Sequence, residues 1–476
     1  MTRHRSGWCA ALCACAALSA CAPKIKYTPP AAQVAPAFKE NKDWKQAEPA
    51  DAALRGAWWE LFGDPQLTAL ESQIAISNQT LRAAAARFAE ARAAVSGARA
   101  ALYPQVGLSP SVGRFQQSGN RSVSNFHDSY ADFLVPATVS YEPDFWGRLH
   151  GTIDATRAQA QATAADLETA SLSVHAELAV DYFALRGLDR ERELLESAVT
   201  AYERALELTR NRFSGGLASQ ADVALAETQL ETTRAQAVDI GVARAALEHA
   251  IAVLTGQSPS TFALAAAPLA SDPPAVPAGL PSQLLERRPD IAAAERRVAA
   301  ANAEVGVATS AYYPILELTG AAGVESSSLT RLVSGVSTFW SAAPQLFVTV
   351  FDAGRRRAAA AQARAVYDEN VATYQETVLG VFREVEDQLA ALRILQDEAT
   401  IQRRAVDAAE RSLQQATNRY RGGLANYLEV TFAQSVALAN ERTAVDLLTR
   451  RMTASVLLIK GLGGGWDVRS LPTVSR

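Results

Sequence analysis

Cysteine is nearly missing from this 476-residue chain: its four cysteines are Cys9, Cys13, Cys15 and Cys21, and none follows. A chain cut before Cys21 can therefore form no intrachain disulfide and no cysteine-based metal site. Past the first twenty residues, no apolar run reaches the roughly 20 residues a membrane-spanning helix needs. There is no basic block, and the net charge is only −4, which speaks against nucleic acid as a partner. Histidine is scarce as well. His4 lies in the leader, His127 in a loop, and His150, His175 and His249 are scattered on helices. His175 and Glu177 form an H-x-E that lacks the second histidine of a zinc-binding helix, so these histidines read as surface or packing residues. Ser214-Gly215-Gly216 and the run Gly461 to Gly465 lack a P-loop lysine and read as turns. No acid, base and nucleophile stand together, so the expectation is a protein that is not an enzyme and has no metal or diffusible cofactor.

The start of the chain points to a compartment. Arg3, His4 and Arg5 precede an apolar stretch from Trp8 to Leu18, too short to cross a bilayer and suited to a signal-peptide core. It ends in Leu18-Ser19-Ala20-Cys21, which resembles the lipobox of bacterial lipoproteins. That resemblance implies removal of residues 1–20 and a covalent lipid on Cys21; the plainer reading is an ordinary cleavage site with an unmodified cysteine. Ala22 stands where an aspartate would resemble an inner-membrane retention signal, which favours the outer membrane. Each buried CH₂ contributes about 0.8 kcal/mol, so several acyl chains would anchor the protein firmly. A lipoprotein without a membrane helix is either peripheral or a barrel.

An internal repeat organises the rest. Ala101-Leu102-Tyr103-Pro104 recurs as Ala311-Tyr312-Tyr313-Pro314, 210 positions on. Arg212 to Ala218 (RFSGGLA) recurs as Arg419 to Ala425 (RYRGGLA), and Gly147-Arg148 as Gly354-Arg355, both 207 positions on. The change from 210 to 207 places a net three-residue deletion in the second copy's hairpin region. Two copies are too few for a solenoid. Each copy reads as helix, two strands, very long helix, turn, long helix. Asp64-Pro65 is an N-cap with proline at the first helical position, 67–102 is one helix, and Pro104 ends it. Residues 148–212 and 355–420 contain no proline and predict helices on the order of 100 Å long, with Gly187 and Gly380 as candidate kinks. The Gly-Gly pairs at 215–216 and 422–423 stop them, and the returning helices run about 218–255 and 425–460. The resulting division is a signal peptide (1–20), an extended anchored segment (21–63), a first repeat (64–255), a proline-rich linker (256–281), a second repeat (282–460) and a glycine-rich tail (461–476).

The strands alternate with a period of two. Val106, Leu108, Pro110 and Val112 lie on one side of 105–115, and Phe133, Val135, Ala137, Val139 and Tyr141 on one side of 133–142. Leu316, Leu318, Ala322 and Val324 oppose Glu317 and Thr319, and a last strand is expected at about 344–351, with Phe347 and Phe351 on its polar side. Pro110 and Pro136 each require a bulge or a missing bond. Strands of this length with one apolar and one polar face suit a tilted membrane barrel. Four of them cannot close one, and open edges are not tolerated in lipid, so other copies of the chain must complete the sheet.

Taken together, these features resemble the TolC/OprM family of outer-membrane channels, in particular its NodT-like lipoprotein branch. The residues that carry the resemblance are Leu18 to Cys21, Trp58-Trp59-Glu60-Leu61-Phe62, Tyr103-Pro104, Tyr141 to Gly147, Arg287-Arg288-Pro289-Asp290-Ile291, both Gly-Gly-Leu turns and Leu462 to Trp466. The family implies a mixed α and β membrane protein. Its homotrimer forms a twelve-stranded outer-membrane β-barrel, continued by a periplasmic α-helical barrel. It also implies a passive, gated duct that takes substrates from a periplasmic adaptor and an inner-membrane transporter of the RND type, among outer-membrane lipids. The Gly215-Gly216-Leu217 and Gly422-Gly423-Leu424 turns match the family's adaptor-contact tip. Asp222, Tyr420 and Glu429 match residues that close the tip. Two departures stand out: Ala425 replaces a residue that is often charged, and Phe432 replaces an aperture carboxylate found in some members, so Phe432 or Leu424 would narrow the opening instead. Arg212 and Arg419 read equally well as plain partners of helix C-termini. The alternatives are a type I protein-secretion duct of the same family, a periplasmic coiled-coil scaffold lipoprotein without a pore, and an envelope-remodelling enzyme, for which no active-site residues are in view.

Overall fold

The computed structural model describes residues 27–32, 35–41, 56–116, 118, 129–276 and 284–471. The leader, Cys21, His127 and the end of the tail lie outside the described residues.

The first helix begins as its sequence demands. The Asp64 carboxylate accepts from the backbone N–H of Gln66 (2.8 Å) and Leu67 (3.1 Å), with Pro65 in the first turn of α1 (Pro65–Ser77). The single helix expected over 67–102 is in fact two. Asn78 leaves the helix at ψ 123° and caps α2 (Gln79–Ala100), its side chain accepting from Leu81 N at 3.0 Å. Its Nδ2 also donates to the carbonyl of Leu254 at 2.8 Å. A short polar side chain that competes for backbone partners breaks the helix here, with a contact far along the chain holding the break in place.

The strand expected over 105–115 is β1 (Gln105–Leu108) and β2 (Ser111–Phe115), both paired antiparallel to β3 (Tyr130–Tyr141). Leu108 faces Ala137 and Ser111 faces Leu134, so the register runs on without an inserted residue, and Pro110 causes a missing bond rather than a bulge. After Gly147, which sits at φ 74°, comes α3 (Arg148–Ser214), followed by α4 (Gln220–Leu254), α5 (Pro289–Ser310) and β4 (Ile315–Ser326). The last strand, β5, is Thr338–Phe347 rather than 344–351. Val348, Val350 and Phe351 are apolar and exposed but unpaired, and Asp352 already serves the next helix by accepting from Gly354 N at 3.0 Å and Arg356 N at 3.2 Å. That helix is α6 (Arg355–Arg421), followed by α7 (Tyr427–Gly461).

The sheet order is β1/β2–β3–β4–β5, and the strands at both ends pair on one side only. Its register lines up Val106, Val139, Gly320 and Ala342, and likewise Leu108, Ala137, Ala322 and Trp340, on the apolar face. Gln105, Ser140, Thr319 and Ala343 line up on the other face. The β3–β4 pair joins the two repeats. There Gly323 lies opposite Pro136, so close that any side chain would overlap the Val135 carbonyl oxygen. Gly323→Val is expected to part these strands, costing on the order of 1–3 kcal/mol. The measurement is the thermal unfolding temperature, and an unchanged temperature would count against this reading.

Both 67-residue helices, α3 and α6, run unbroken through Gly187 and Gly380. Gly187 is a site of close approach, since a Cβ there would strike the Thr449 side chain on α7. At 1.5 Å per residue each helix is roughly 100 Å long. Their ends are twins. Leu217 N bonds Arg212 O at 2.8 Å and Leu424 N bonds Arg419 O at 2.9 Å, with Gly216 at φ 71° and Gly423 at φ 73°. Along the upper part of α3 the buried residues are mostly alanines (Ala155, Ala158, Ala160, Ala162, Ala164 and Ala165), and α5 contributes Ala292 to Ala294. Small side chains let these helices lie close, as the composition suggests. Larger side chains gather at mid-length, where Trp58, Leu67 and Ile74 meet Leu178, Tyr182 and Phe183 of α3 and Val385, Leu389, Val456 and Ile459 of α6 and α7. Residues 256–276 have no regular structure and are tied to this belt through Asp189, which is 5 % exposed. Asp189 binds Arg244 Nε at 2.7 Å and accepts from Ala267 N at 3.0 Å, and Arg186 donates to the Ala265 carbonyl at 2.8 Å. Among the described residues, no helix is long and apolar enough to cross a membrane.

Candidate functional site

The two Gly-Gly turns bring the ends of α3 and α6 together. Tyr420, 4 % exposed, points into a small core with Tyr202, Leu206, Val223, Leu230, Tyr427 and Val430. Its hydroxyl donates to Thr209 Oγ1 on α3 at 3.4 Å, and its ring meets that of Tyr427 edge-on at 5.3 Å. Burial pushes the Tyr427 phenol up to about 12, so it stays neutral across the physiological range. The guanidinium of Arg212 lies 4.8 Å from the centre of the Tyr420 ring, and its Nη1 donates to the carbonyl of Arg421 at 3.1 Å.

Asp222 is the N3 residue of a capping box. Its carboxylate accepts from Ser219 N at 2.8 Å, while Ser219 Oγ accepts from Asp222 N at 3.1 Å. Glu429 holds the equivalent place on α7, where Asn426 caps its N–H at 3.2 Å, but its own carboxylate is exposed and reaches Arg419 Nη1 at 3.8 Å. Leu424, Leu428 and Phe432 follow one another at four-residue intervals and are 76 %, 57 % and 71 % exposed, forming an apolar stripe beside Glu429. The fold therefore brings Tyr420 together with Arg212, while Glu429 and Phe432 lie on the open side of the same hairpin. Asp222 serves the start of α4. Sequence reasoning missed Thr209 and Tyr427. The available signal for Tyr427 was a break in the repeat, because 207 positions earlier stands Gln220.

Among the described residues, no cluster of His, Cys, Asp or Glu could hold a metal ion. His175 is a packing residue, stacked on Trp59 with ring centres 4.6 Å apart, and it shares a 2.6 Å hydrogen bond with Glu71.

The family model described as "Outer membrane efflux protein" matches residues 70–257 and 280–464, that is, both repeats. The chain belongs to the outer membrane efflux protein family. It is 31% identical to the outer membrane protein OprJ of Pseudomonas aeruginosa over 93% of this chain and 92% of that protein. It is 33% identical to the solvent efflux pump outer membrane protein SrpC of Pseudomonas putida over 86% and 87% of the two chains. Among solved structures, the outer-membrane channel OprN superposes with a TM-score of 0.85 at 29% identity, covering 93% of this chain and 98% of the other. The open state of the MtrE outer membrane channel of Neisseria gonorrhoeae gives a TM-score of 0.82 at 25% identity, over 93% and 98%. This outer membrane efflux protein thus has the mixed α and β fold of TolC-type channels, reaching from the outer membrane into the periplasm. It is the outer-membrane channel of a tripartite efflux system and not an enzyme. That identity sets aside the pore-free scaffold and the envelope-remodelling enzyme.

Proposed function

We propose that three copies of this chain close one duct, and that the hairpin tips gate it. The observation that supports this reading is the sheet, with one apolar face, one polar face and two edges left without partners. In lipid such edges must be paired, and three four-strand sectors make a barrel of twelve, wide enough to leave a passage. The polar face lines the passage and the apolar face meets lipid. The long helices continue the wall through the periplasm. There an adaptor protein meets the tips at Gly215, Gly216, Leu217, Gly422, Gly423 and Leu424 and couples the duct to an inner-membrane transporter of the RND type. Residues 1–20 are a signal peptide, Cys21 carries lipid, 21–63 lead from that anchor to the first repeat at 64–255, 256–281 link it to the second repeat at 282–460, and 461–476 form the tail.

Closure falls to the tips. Glu429 from three chains forms a ring of like charge, which favours cations. Phe432 and Leu424 narrow the opening with apolar side chains, Tyr420 holds the second hairpin to the first, and Asp222 shapes the start of α4. The test is conductance of the purified trimer in planar bilayers. Glu429→Ala is expected to reduce cation preference. Asp222→Ala, which breaks the capping box at the start of α4 while leaving the Ser219 cap in place, is expected to raise the resting conductance. If both variants match the unaltered channel in conductance and selectivity, the gate does not lie at these residues.

A further inference from the structure

The polar face of the sheet changes character along its length. Strand β1 begins directly after α2, so Gln105 lies at the helical end, and the turns that follow Phe115 and Ser326 lie at the far, outer end. In the middle of the sheet this face is polar or small, with Gln105, Ser140, Thr319 and Ala343 in one row and Gly107, Thr138, Ala321 and Ser341 in the next. Toward the outer end the same face carries rings and carboxylates. Phe339 stands opposite Gly323, Leu134 opposite Glu325, Asp132 opposite Gly113 and Tyr130 opposite Phe115.

Two phenylalanines here each stand diagonal to a carboxylate on the neighbouring strand, Phe115 to Asp132 and Phe339 to Glu325. Diagonal neighbours on one face are within reach of long and aromatic side chains. A glycine lies beside each pair. A Cβ on Gly113 would strike the Phe115 ring, so that ring folds back over bare backbone into the row of Asp132. The Tyr130 ring forms a second wall, its centre 5.9 Å from that of Phe115 and its plane tilted by 39°. Both rings are about half exposed. Arg114, between Gly113 and Phe115, belongs to the other face and donates to Ser129 Oγ at 3.3 and 3.1 Å. Among the described residues neither Asp132 nor Glu325 has an ion-pair partner within 4 Å. Exposed rings beside carboxylates without a cation of their own are complementary to a ligand that is apolar and positive at once, because the ring face and the carboxylate attract the same charge.

We propose that the outer mouth of the duct binds amphipathic organic cations of the aromatic quaternary ammonium class. Phe115, Tyr130 and Asp132 of each chain form one site, and Phe339 and Glu325 form a second. Both are open and shallow, so they hold a departing cation briefly and release it outward. The proposal rests on the reading that the polar face lines the passage.

The experiment is block of the full-length trimer in planar bilayers by benzyltriethylammonium added on the side of the sheet, with benzenesulfonate as its anionic counterpart. The cation is expected to lower the current in a saturable way, and the anion is not. Phe115→Leu and Phe339→Leu should each raise the half-blocking concentration about two- to fivefold, the effect of one exposed cation–π contact. Asp132→Asn and Glu325→Gln should do the same, more strongly at low salt than at high salt. Trp340→Leu removes an aromatic from the apolar face and should change nothing. The proposal is overturned if benzenesulfonate blocks equally well, or if all four variants keep the half-blocking concentration of the unaltered channel. A lower thermal unfolding temperature for the phenylalanine variants with unchanged block would mean that the rings only cover bare glycine, and would overturn it too. A separate arm tests the underlying reading: Thr138→Cys, treated with a charged thiol reagent, should lose conductance. If it does not, the assignment of this face to the passage falls, and the proposal with it.

Discussion

Arg288→Ala is expected to destabilise the protein by about 3 kcal/mol, the cost of leaving two half-buried carboxylates and the end of a helix without their shared donor. Arg288 is 6 % exposed and immediately precedes α5. Its Nε and Nη2 grip the Asp290 carboxylate at 2.9 and 2.6 Å. Nη1 reaches Glu384 of α6 at 3.0 Å and the carbonyls of Lys460 and Gly461, both at 3.1 Å. One side chain thus donates to two carboxylates and to two carbonyls at the end of α7, where a cation is also favoured by the helix dipole; the Lys460 carbonyl accepts from Gly463 N as well, at 2.9 Å. Next to it, Gly463 at φ 91° packs so close to the Arg287 carbonyl that no side chain would fit. Three helices and the start of the tail converge on this point. Lysine cannot fork in the same way, so Arg288→Lys should recover only part of the loss. The measure is the thermal unfolding temperature in detergent. A shift of only a degree or two for the alanine variant would show that the network contributes little.

The second large effect is a pH dependence centred on Glu71 and His175. Glu71 on α1 is fully buried, and burial pushes its carboxyl up to about 9. Burial likewise pushes the His175 imidazole down to about 4. At neutral pH the pair therefore holds one proton, on Glu71, which donates to His175 Nδ1 at 2.6 Å while the ring stacks on Trp59. The two groups pull stability in opposite directions. Glu71 binds its proton more tightly in the folded chain, so its contribution is lost as pH rises from its ordinary 4.5 through about 9. His175 binds its proton less tightly when folded, so its contribution is lost as pH falls from its ordinary 6.5 through about 4. Where the windows overlap the slopes cancel. Above the histidine range Glu71 acts alone, and stability should fall by about 1.4 kcal/mol per pH unit. Glu71→Gln keeps a donor for His175 and has nothing to ionise. It should therefore match the unaltered protein near pH 4 and exceed it by a margin that widens from there to about pH 9 in thermal unfolding. Parallel profiles for the two proteins would rule out Glu71 as the titrating group.

Much of the architecture could be read from residue order because the deciding forces are local. Two proline-free stretches flanked by glycines predict helices of 148–212 and 355–420, and they form over Arg148–Ser214 and Arg355–Arg421. The alternation of Val106, Leu108 and Val112 with small or polar neighbours sets a phase that the pairing preserves. The misses come from partners distant in sequence. Asn78 breaks the first helix, holding a bond to Leu254, 176 positions away. The last strand begins at Thr338 because β4 supplies a partner there, while Val350 and Phe351, just as apolar, find none. At the tip, Tyr420 and Glu429 could be singled out from the repeat and the family resemblance; Tyr427 left only a break in the repeat, and Thr209 left no signal, since both matter through what they touch on another helix.

Residue order by itself determined where the two long helices start and stop, which strand positions share a face, and that the chain is built twice over, because backbone preference and side-chain period act within a few residues. Only the tertiary structure decided which of two matching arginines crosses between the repeats, which carboxylate is buried against a histidine, and which residues make the last strand an edge of the sheet. Equivalent segments with the same local chemistry were placed in different surroundings, and burial, charge pairing and edge exposure belong to the surroundings.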